Sequence, residues 1–385
     1  MPHALPTPAA TCRAPALHAS LRLGSLGALA MAAVALMAGL PAHAQSSYKF
    51  TALQQATTGA EAYAIGNTGQ VIGRLTKSTG VQIVPPTYKL ETTYSVFATV
   101  WSAAGTPTEV PIASALRKYA QSLQGITDIN NSGVVVGFSA TSRTTNAVPA
   151  KWVNNTRTAL DTRRGSAMGI NDTGVIVGSV DALLPSGESV YRATLWRNGQ
   201  ATDLHALLGL PATTSSGAVA INNRDQVLVT TRPAYGEVGP CYLITGGSVQ
   251  TLAAPPGQGC DGQGLSDAGV VAGNVWNNAA PYGSSPARWV NGVVQVLPSL
   301  PATAAYPSGS AIVSSVNKDG VIVGEDQGKP VRWVNGVQQV LSTPVTGLPA
   351  GATLGGIVDI SDNGKLLVQF YGSSGRAFGV LNPQP

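Results

Sequence analysis

The chain has 385 residues, of which only 11% are charged, and its formal net charge is +5. Its basic residues are scattered along the chain, which argues against a nucleic-acid-binding surface. Its 45 glycines and 26 prolines, among many valines, threonines and asparagines, indicate strands and turns. The length is sufficient for one large all-β domain with a substantial core.

Residues 1–44 have the features of a secretory signal peptide. Arg13 and Arg22 precede the apolar run of residues 26–40, and Ala-His-Ala at residues 42–44 offers a cleavage site before Gln45. A bilayer-spanning helix needs ~20 apolar residues, so a membrane anchor is the less favoured interpretation. We expect export to the periplasm or the cell exterior, with residues 45–385 as a single domain that makes no stable membrane insertion after cleavage.

Removal of that segment would leave little catalytic chemistry. The net charge would fall from +5 to +3, and His205 would be the one remaining histidine. A single histidine excludes a multi-histidine metal site, and Asp203 and His205 are interpreted as part of a surface turn. The asparagine- and aspartate-rich turns lack the carboxylate density of a calcium loop. We therefore assign no catalytic residue, no metal ligand and no cofactor.

Cys241 and Cys260 are the two cysteines outside the predicted signal peptide. Because an exported protein meets an oxidising compartment, a structural disulfide between them is the favoured prediction. A reactive thiol is the alternative.

A twelve-residue pattern recurs seven times at a mean spacing of about 49 residues. Each copy has an apolar residue, then Asn, Ser or Gly, a polar pair, usually Gly, and an apolar strand; the copies begin at residues 62, 126, 167, 218, 262, 313 and 357. The Asn side chain can bond to the backbone two residues on, and the Gly can take the positive φ that closes a hairpin. Each copy is therefore predicted to be a β-hairpin.

A second hairpin pattern follows each copy of the first. Asn-Gly pairs, as in residues 291–292 and 335–336, favour two-residue turns in which both residues have positive φ. Five of the six tryptophans lie at, or within one residue of, an equivalent strand position, which indicates packing between neighbouring sheets. They are Trp101, Trp152, Trp196, Trp289 and Trp333.

Four strands in each of seven repeats predict a β-propeller of about seven four-stranded blades. The last repeat stops after one strand of its second hairpin, at residues 376–382. Tyr48–Leu53 stands before the first hairpin, so we predict that this segment closes the last blade as its fourth strand. An open β-solenoid and a propeller with another number of blades are the alternatives.

The paired hairpins, I-N-x-x-G-x-V-V-G and then A-x-x-W-x-N-G-x-x-x-x-L, resemble those of the HAF-repeat family of exported bacterial proteins. The resemblance covers essentially all of residues 45–385 and is closest in residues 171–178 and 193–204. The His-Ala-Phe triplet itself is absent, and Arg-Ala-Phe at residues 376–378 comes nearest to it. The resemblance implies propeller-like repeats and export, and it carries no established activity.

The alternation of strands places all tight turns at one end and all variable connections, such as residues 74–96, at the other. Binding sites favour variable loops on a rigid frame, so a ligand is expected at the long-connection end. Trp276 and Tyr282, in the connection of residues 274–285, are candidates for stacking on a glycan, because Trp276 lies outside the repeated tryptophan position. Simple loop packing is the alternative.

The favoured function is therefore non-catalytic binding of a glycan or a protein. A hydrolase or lyase that uses carboxylates from the same end, such as Asp181, Glu188 and Glu237, is one alternative, and a structural envelope component is another. The sequence leaves the oligomeric state open.

Overall fold

The computed structural model describes residues 47–54, 60–84, 89–110, 124–140, 146–233, 237–278, 283–306, 311–342 and 344–384. For residues 79–84 and 89–95 it describes the backbone only. The predicted signal peptide, residues 1–44, lies outside the described residues, and Gln45–Pro385 form one compact unit. Within the described ranges, helices with the length and hydropathy of a membrane span are absent.

The fold has seven sheets, and in each of them four antiparallel strands lie side by side. We call these sheets blades and number them 1 to 7 in chain order. The first strands are β2 (Glu61–Ile65), β6 (Gln124–Ile129), β10 (Gly165–Ile170), β14 (Ser215–Ile221), β18 (Gln258–Leu265), β22 (Ile312–Val316) and β27 (Thr353–Ile360). The second strands are β3 (Val71–Val84), β7 (Val135–Ser139), β11 (Ile176–Leu183), β15 (Val227–Arg232), β19 (Val271–Asn277), β23 (Ile322–Asp326) and β28 (Leu366–Gly372).

The third and fourth strands complete each blade. The third strands are β4 (Lys89–Trp101), β8 (Val148–Val153), β12 (Ser189–Arg197), β16 (Cys241–Thr245), β20 (Ser284–Val290), β24 (Lys329–Val334) and β29 (Gly375–Gln384). The fourth strands are β5 (Pro107–Glu109), β9 (Thr156–Ala159), β13 (Gln200–Asp203), β17 (Ser248–Leu252), β21 (Val293–Val296), β25 (Val337–Val340) and, in blade 7, β1 (Ser47–Ala52). A short 3₁₀ helix, His205–Leu208, follows β13.

The blades form a closed ring. Each first strand contacts the first strands of both neighbouring blades, and β27 of blade 7 contacts β2 of blade 1. β1 pairs antiparallel with β29 from Ser47 opposite Gln384 to Ala52 opposite Gly379. The seven-bladed propeller and its closure by the segment after residue 45 are therefore confirmed. A short additional strand, β26 (Val345–Thr346), runs parallel to β1 and makes this sheet five-stranded.

The repeated tryptophans occupy one structural position. Each pairs with the first residue of the second strand of its blade, as Trp101 does with Val71 and Trp333 with Ile322. All five are at most 2% exposed, and each packs into a core cluster that includes residues of the preceding blade. The Nε1 of Trp289 donates to the Ala253 carbonyl oxygen, at 2.9 Å, in the connection that enters its blade. Their predicted role as packing between sheets is confirmed.

The turn chemistry follows the sequence pattern. Asn291 and Gly292 have φ of 51° and 80°, and Asn335 and Gly336 have 52° and 85°. In blade 4 the turn has no glycine, and Asp225 takes the left-handed conformation at φ 58°. Aspartate tolerates this region better than most residues because its short side chain can bond locally.

Two of the variable connections at the long-connection end are largely strand. Residues 74–96, predicted as a connection, extend the central hairpin of blade 1, with β3 continuing to Val84 and β4 starting at Lys89. In blade 6 the connection is a two-residue turn, with positive φ at Gln327 and Gly328. In both places the backbone pairing continues past the repeated apolar residues, so the repeat does not mark where the strands end.

Ring closure should depend on the apolar face of β1. Phe50 is 6% exposed, and its ring meets Phe370 edge-on with centroids 5.0 Å apart. Phe50→Ala should lower the free energy of unfolding by about 3–5 kcal/mol, the usual range for a buried aromatic, measured by denaturant unfolding. Lys49→Ala, on the exposed face of the same strand, should change it by less than about 0.5 kcal/mol. Equal stability of both variants would contradict a closing role for β1.

Candidate functional site

The two ends of the ring have different chemistry. At the tight-turn end, the polar turns between first and second strands surround a pocket of about 180 Å³. Toward the long-connection end, a mostly apolar cavity of about 340 Å³ lies between blades 1 and 2.

The Asn that opens the tight turn of blades 2, 3 and 4 forms two kinds of hydrogen bond. Asn222 Oδ1 accepts hydrogen bonds from the backbone N–H groups of Arg224 and Gln226 within its own turn, both at 3.0 Å. Its Nδ2 donates to the Ser266 carbonyl oxygen of the next blade at 2.8 Å. Asn130 and Asn171 do the same toward blades 3 and 4. The repeated asparagine therefore closes its own turn and ties it to the next blade.

The next residue of each turn forms a circle of hydrogen bonds around the ring axis. Its backbone N–H donates to the side-chain oxygen of its counterpart in the following blade, at six of the seven junctions. The bonds run from 67 to 131, 131 to 172, 172 to 223, 223 to 267, 318 to 362 and 362 to 67, over 2.7–3.2 Å. The circle breaks between Asp267 and Lys318, because a lysine side chain has no acceptor.

Two partly buried carboxyl groups lie beneath this circle. Asp128 of blade 2 accepts the backbone N–H of Ile129 at 2.7 Å and that of Ile170, in blade 3, at 2.9 Å. Asp359 of blade 7 accepts the N–H of Ile65, in blade 1, at 2.7 Å. Burial raises the pKa of Asp128 to about 7 and that of Asp359 to about 6, although the backbone donors partly oppose this rise. Each carboxyl group accepts a backbone N–H of a neighbouring blade. The two groups therefore link adjacent blades.

The cavity near the long-connection end is lined by six aromatic and aliphatic residues, with few polar neighbours. They are Tyr63, Val96, Ala98, Ile126, Phe138 and Met168. Gly125 makes room for the ring of Phe138, because a Cβ there would lie 2.5 Å from its Cε1. Tyr63 and Met168 remain 36% and 38% exposed. The cavity therefore opens an apolar surface between two blades.

Trp276 is the next-to-last residue of β19, at the long-connection end. It pairs with Gly259 on one side and Ser284 on the other. Its side chain is 37% exposed, in contrast to the five repeated tryptophans. Tyr282, its predicted companion, lies outside the described residues, so the pair stays a prediction.

The cysteines, Asp203 and His205, which the sequence also singled out, take part in contacts that stabilise the fold. A disulfide joins Cys241 of blade 4 to Cys260 of blade 5, with Cα atoms 5.4 Å apart. His205 is buried with its Nδ1 2.9 Å from Ser216 Oγ, and Asp203 accepts the backbone N–H of His205 instead of its ring N–H. Burial lowers the pKa of His205, an effect that the nearby Arg192 reinforces.

The carboxylates named for a hydrolytic site lie in three places. Asp181 lies 3.9 Å from Arg164 in an ion pair, Glu188 is exposed in the turn that follows β11, and Glu237 is exposed before β16. Groups of three or more residues able to hold a metal ion are absent from the described part of the chain.

Sequence reasoning missed the cavity, the two partly buried carboxyl groups and the circle of turn bonds. A signal for the carboxyl groups was present: Asp128 and Asp359 stand two residues before the repeated Asn or Ser, where the other copies have Ala, Gly or Ser. The cavity had no such signal, because its lining comes from six strands of three blades.

Comparison with known proteins supports the fold alone. No protein-family profile matches the chain, and no curated protein matches it. An acylaminoacyl peptidase structure aligns with a TM-score of 0.50 at 11% identity, over 87% of this chain and 53% of that one. TolB from Acinetobacter baumannii aligns with a TM-score of 0.40 at 13% identity, over 86% of this chain and 65% of TolB. A lectin from Aleuria aurantia aligns with a TM-score of 0.40 at 13% identity, over 77% of this chain and 99% of the lectin. The chain thus spans less than two thirds of TolB and about half of the peptidase.

The raised pKa of Asp128 predicts a pH dependence of stability. The folded state holds this proton more tightly than the unfolded state, whose pKa is 3.8. The stabilisation is complete below pH 3.8 and is lost as pH rises to about 7, at up to about 1.4 kcal/mol per pH unit. Asp128→Asn should flatten this slope in urea unfolding, whereas Asp319→Asn, at an exposed turn, should keep it. Parallel slopes in wild type and Asp128→Asn would contradict the assignment.

The disulfide predicts a covalent link between blades 4 and 5. After unfolding, reduction should add the mass of two hydrogens, measured by intact mass spectrometry. The double variant Cys241→Ala/Cys260→Ala should lose about 2–4 kcal/mol of stability, the range for closing a loop of this size. An unchanged mass after reduction would show that the two thiols are free.

Proposed function

We propose that the protein is an exported, non-catalytic binding protein that recognises a glycan through the long-connection end of its propeller. Export is supported by the pattern of residues 1–44, with its basic start, apolar run and Ala-His-Ala site. The observation that carries the binding role is the exposure of Trp276.

Trp276 has the surroundings of a stacking platform. A tryptophan that serves packing is buried in this fold, as the five repeated ones are, at 0–2% exposure. Trp276 pairs with Gly259, which has no side chain, and with Ser284, whose side chain is too small to cover an indole. An indole exposed on a rigid strand offers a flat apolar face and an N–H donor, and a sugar ring presents matching C–H groups and hydroxyls.

The described residues favour binding over hydrolysis. The raised-pKa carboxyl groups, Asp128 and Asp359, lie at the opposite end of the ring and bond to backbone amides of adjacent blades. Asp203, His205 and Ser216 are not aligned as a catalytic relay, because Asp203 holds backbone N–H groups of the turn. A site that carries no reacting group can still select a ligand by shape and stacking.

A glycan array with the purified protein of residues 45–385 tests this proposal. Wild type should bind a defined set of glycans, and Trp276→Ala should weaken that binding by about tenfold or more, since loss of an aromatic contact costs about 1.4 kcal/mol. Trp276→Phe, which keeps an aromatic face, should retain part of the affinity.

Val337→Ala provides the matched control, because Val337 is 61% exposed on the outer edge of blade 6. It should leave binding unchanged. If wild type binds no glycan, or if Trp276→Ala binds as well as wild type, the proposed glycan site is wrong. A protein ligand at the same end would then be the remaining form of the binding hypothesis.

A further inference from the structure

We infer that the cavity between blades 1 and 2 is a second binding site, for a compact, uncharged and mostly apolar molecule that carries one amide group. The site lies on blades other than that of Trp276, so the inference does not depend on the proposed glycan site. It rests on the shape of the cavity and on the state of one buried side chain, Gln124.

The cavity has the size and lining of a small-molecule site. Its volume of about 340 Å³ falls within the range of known ligand pockets, which are mainly apolar with a few polar groups. Phe138 and Ile126 provide its wall in blade 2, and Val96 and Ala98 its wall in blade 1. These residues belong to paired strands, so the cavity is part of the rigid frame.

Gln124, the first residue of β6, supplies the polar group. It lines the cavity and is 7% exposed. Its Oε1 and its Nε2 are both buried without a hydrogen-bond partner among the described residues. Buried amide groups are rarely left unpaired in folded proteins, because they lose their bonds to water without replacement. A bound molecule that pairs with both atoms would remove this cost.

The other polar side chains of the lining, Tyr63, Arg74 and Thr127, do not have buried unpaired atoms as Gln124 does. Thr127 Oγ1 donates to the Ala167 carbonyl oxygen at 2.8 Å. The guanidinium of Arg74 lies 3.7 Å from Glu61 Oε1, which also pairs with Arg376 at 2.9 Å. Among the described lining residues, Gln124 therefore offers the donor and the acceptor that are both buried and unsatisfied, on the same amide.

This inventory selects the ligand class. A carboxylate offers only acceptors and would leave Gln124 Oε1 unpaired, and an ammonium group offers only donors. An amide offers one of each in the geometry of a cyclic pair with the glutamine amide. The apolar lining requires that the rest of the molecule be hydrocarbon, aliphatic or aromatic.

4-butylbenzamide is a suitable probe, because its primary amide has a C=O and an N–H on the same side and the rest of the molecule is apolar. Isothermal titration calorimetry on the protein of residues 45–385 should show saturable binding. Gln124→Met, which keeps the side-chain length without donor or acceptor, should weaken binding by about tenfold or more. N,N-dimethyl-4-butylbenzamide, which has no N–H, should bind wild type as weakly as 4-butylbenzamide binds the variant.

Thermal unfolding without ligand separates a ligand contact from a structural role. Because Gln124 has no partner to lose, Gln124→Met should melt at the wild-type temperature or above. Gln263→Met, the same change at an exposed position of β18, should leave the binding of 4-butylbenzamide unaltered. The inference is overturned if wild type does not bind the probe or if Gln124→Met binds it equally well. A lower melting temperature or failed folding of Gln124→Met would also overturn it.

Discussion

The pairing of β1 with β29 is the contact on which the architecture depends. It joins segments as distant as Lys49 and Asn382, which are 333 residues apart in the chain. Without it, blade 7 would lack its fourth strand and β29 would present an unpaired edge. The same pairing sets the two Phe rings of positions 50 and 370 against each other. A long-range contact thus completes a sheet whose other three strands are local hairpin neighbours.

Apolar packing and turn hydrogen bonds join neighbouring blades at different distances from the ring axis. The repeated tryptophans fill the space against the preceding blade, while the asparagine turns connect neighbouring first strands close to the ring axis. Buried amide and carboxyl groups are tolerated there because each finds backbone partners in the adjacent blade. Asp128 and Asp359 likewise accept backbone N–H groups of an adjacent blade. Their pKa values are raised because their carboxyl groups are shielded from solvent. This rigid inner ring leaves the long-connection end free to vary.

Much of the fold could be predicted because each blade repeats a local rule. The positive φ required at Gly292 or Gly336 and the apolar strand after each turn are encoded within a dozen residues. The exposure of Trp276 was also foreseeable, since it departs from the repeat. The cavity was not foreseeable, because it depends on how Gly125 admits the ring of Phe138 and on which strands of three blades adjoin. The continuation of β3 to Val84 likewise depends on backbone pairing that leaves no repeated pattern.

In the closed ring, β1 is an integral strand of blade 7. Native-state hydrogen exchange tests this most directly, because amides of an integral strand open only with the whole fold. The amides of β1 that face β29, those of Lys49 and Thr51, should exchange with the same free energy as the central strands of blades 2 to 6. Rapid exchange of these amides while those strands remain protected would show that the ring is open, and would contradict the closing role of β1.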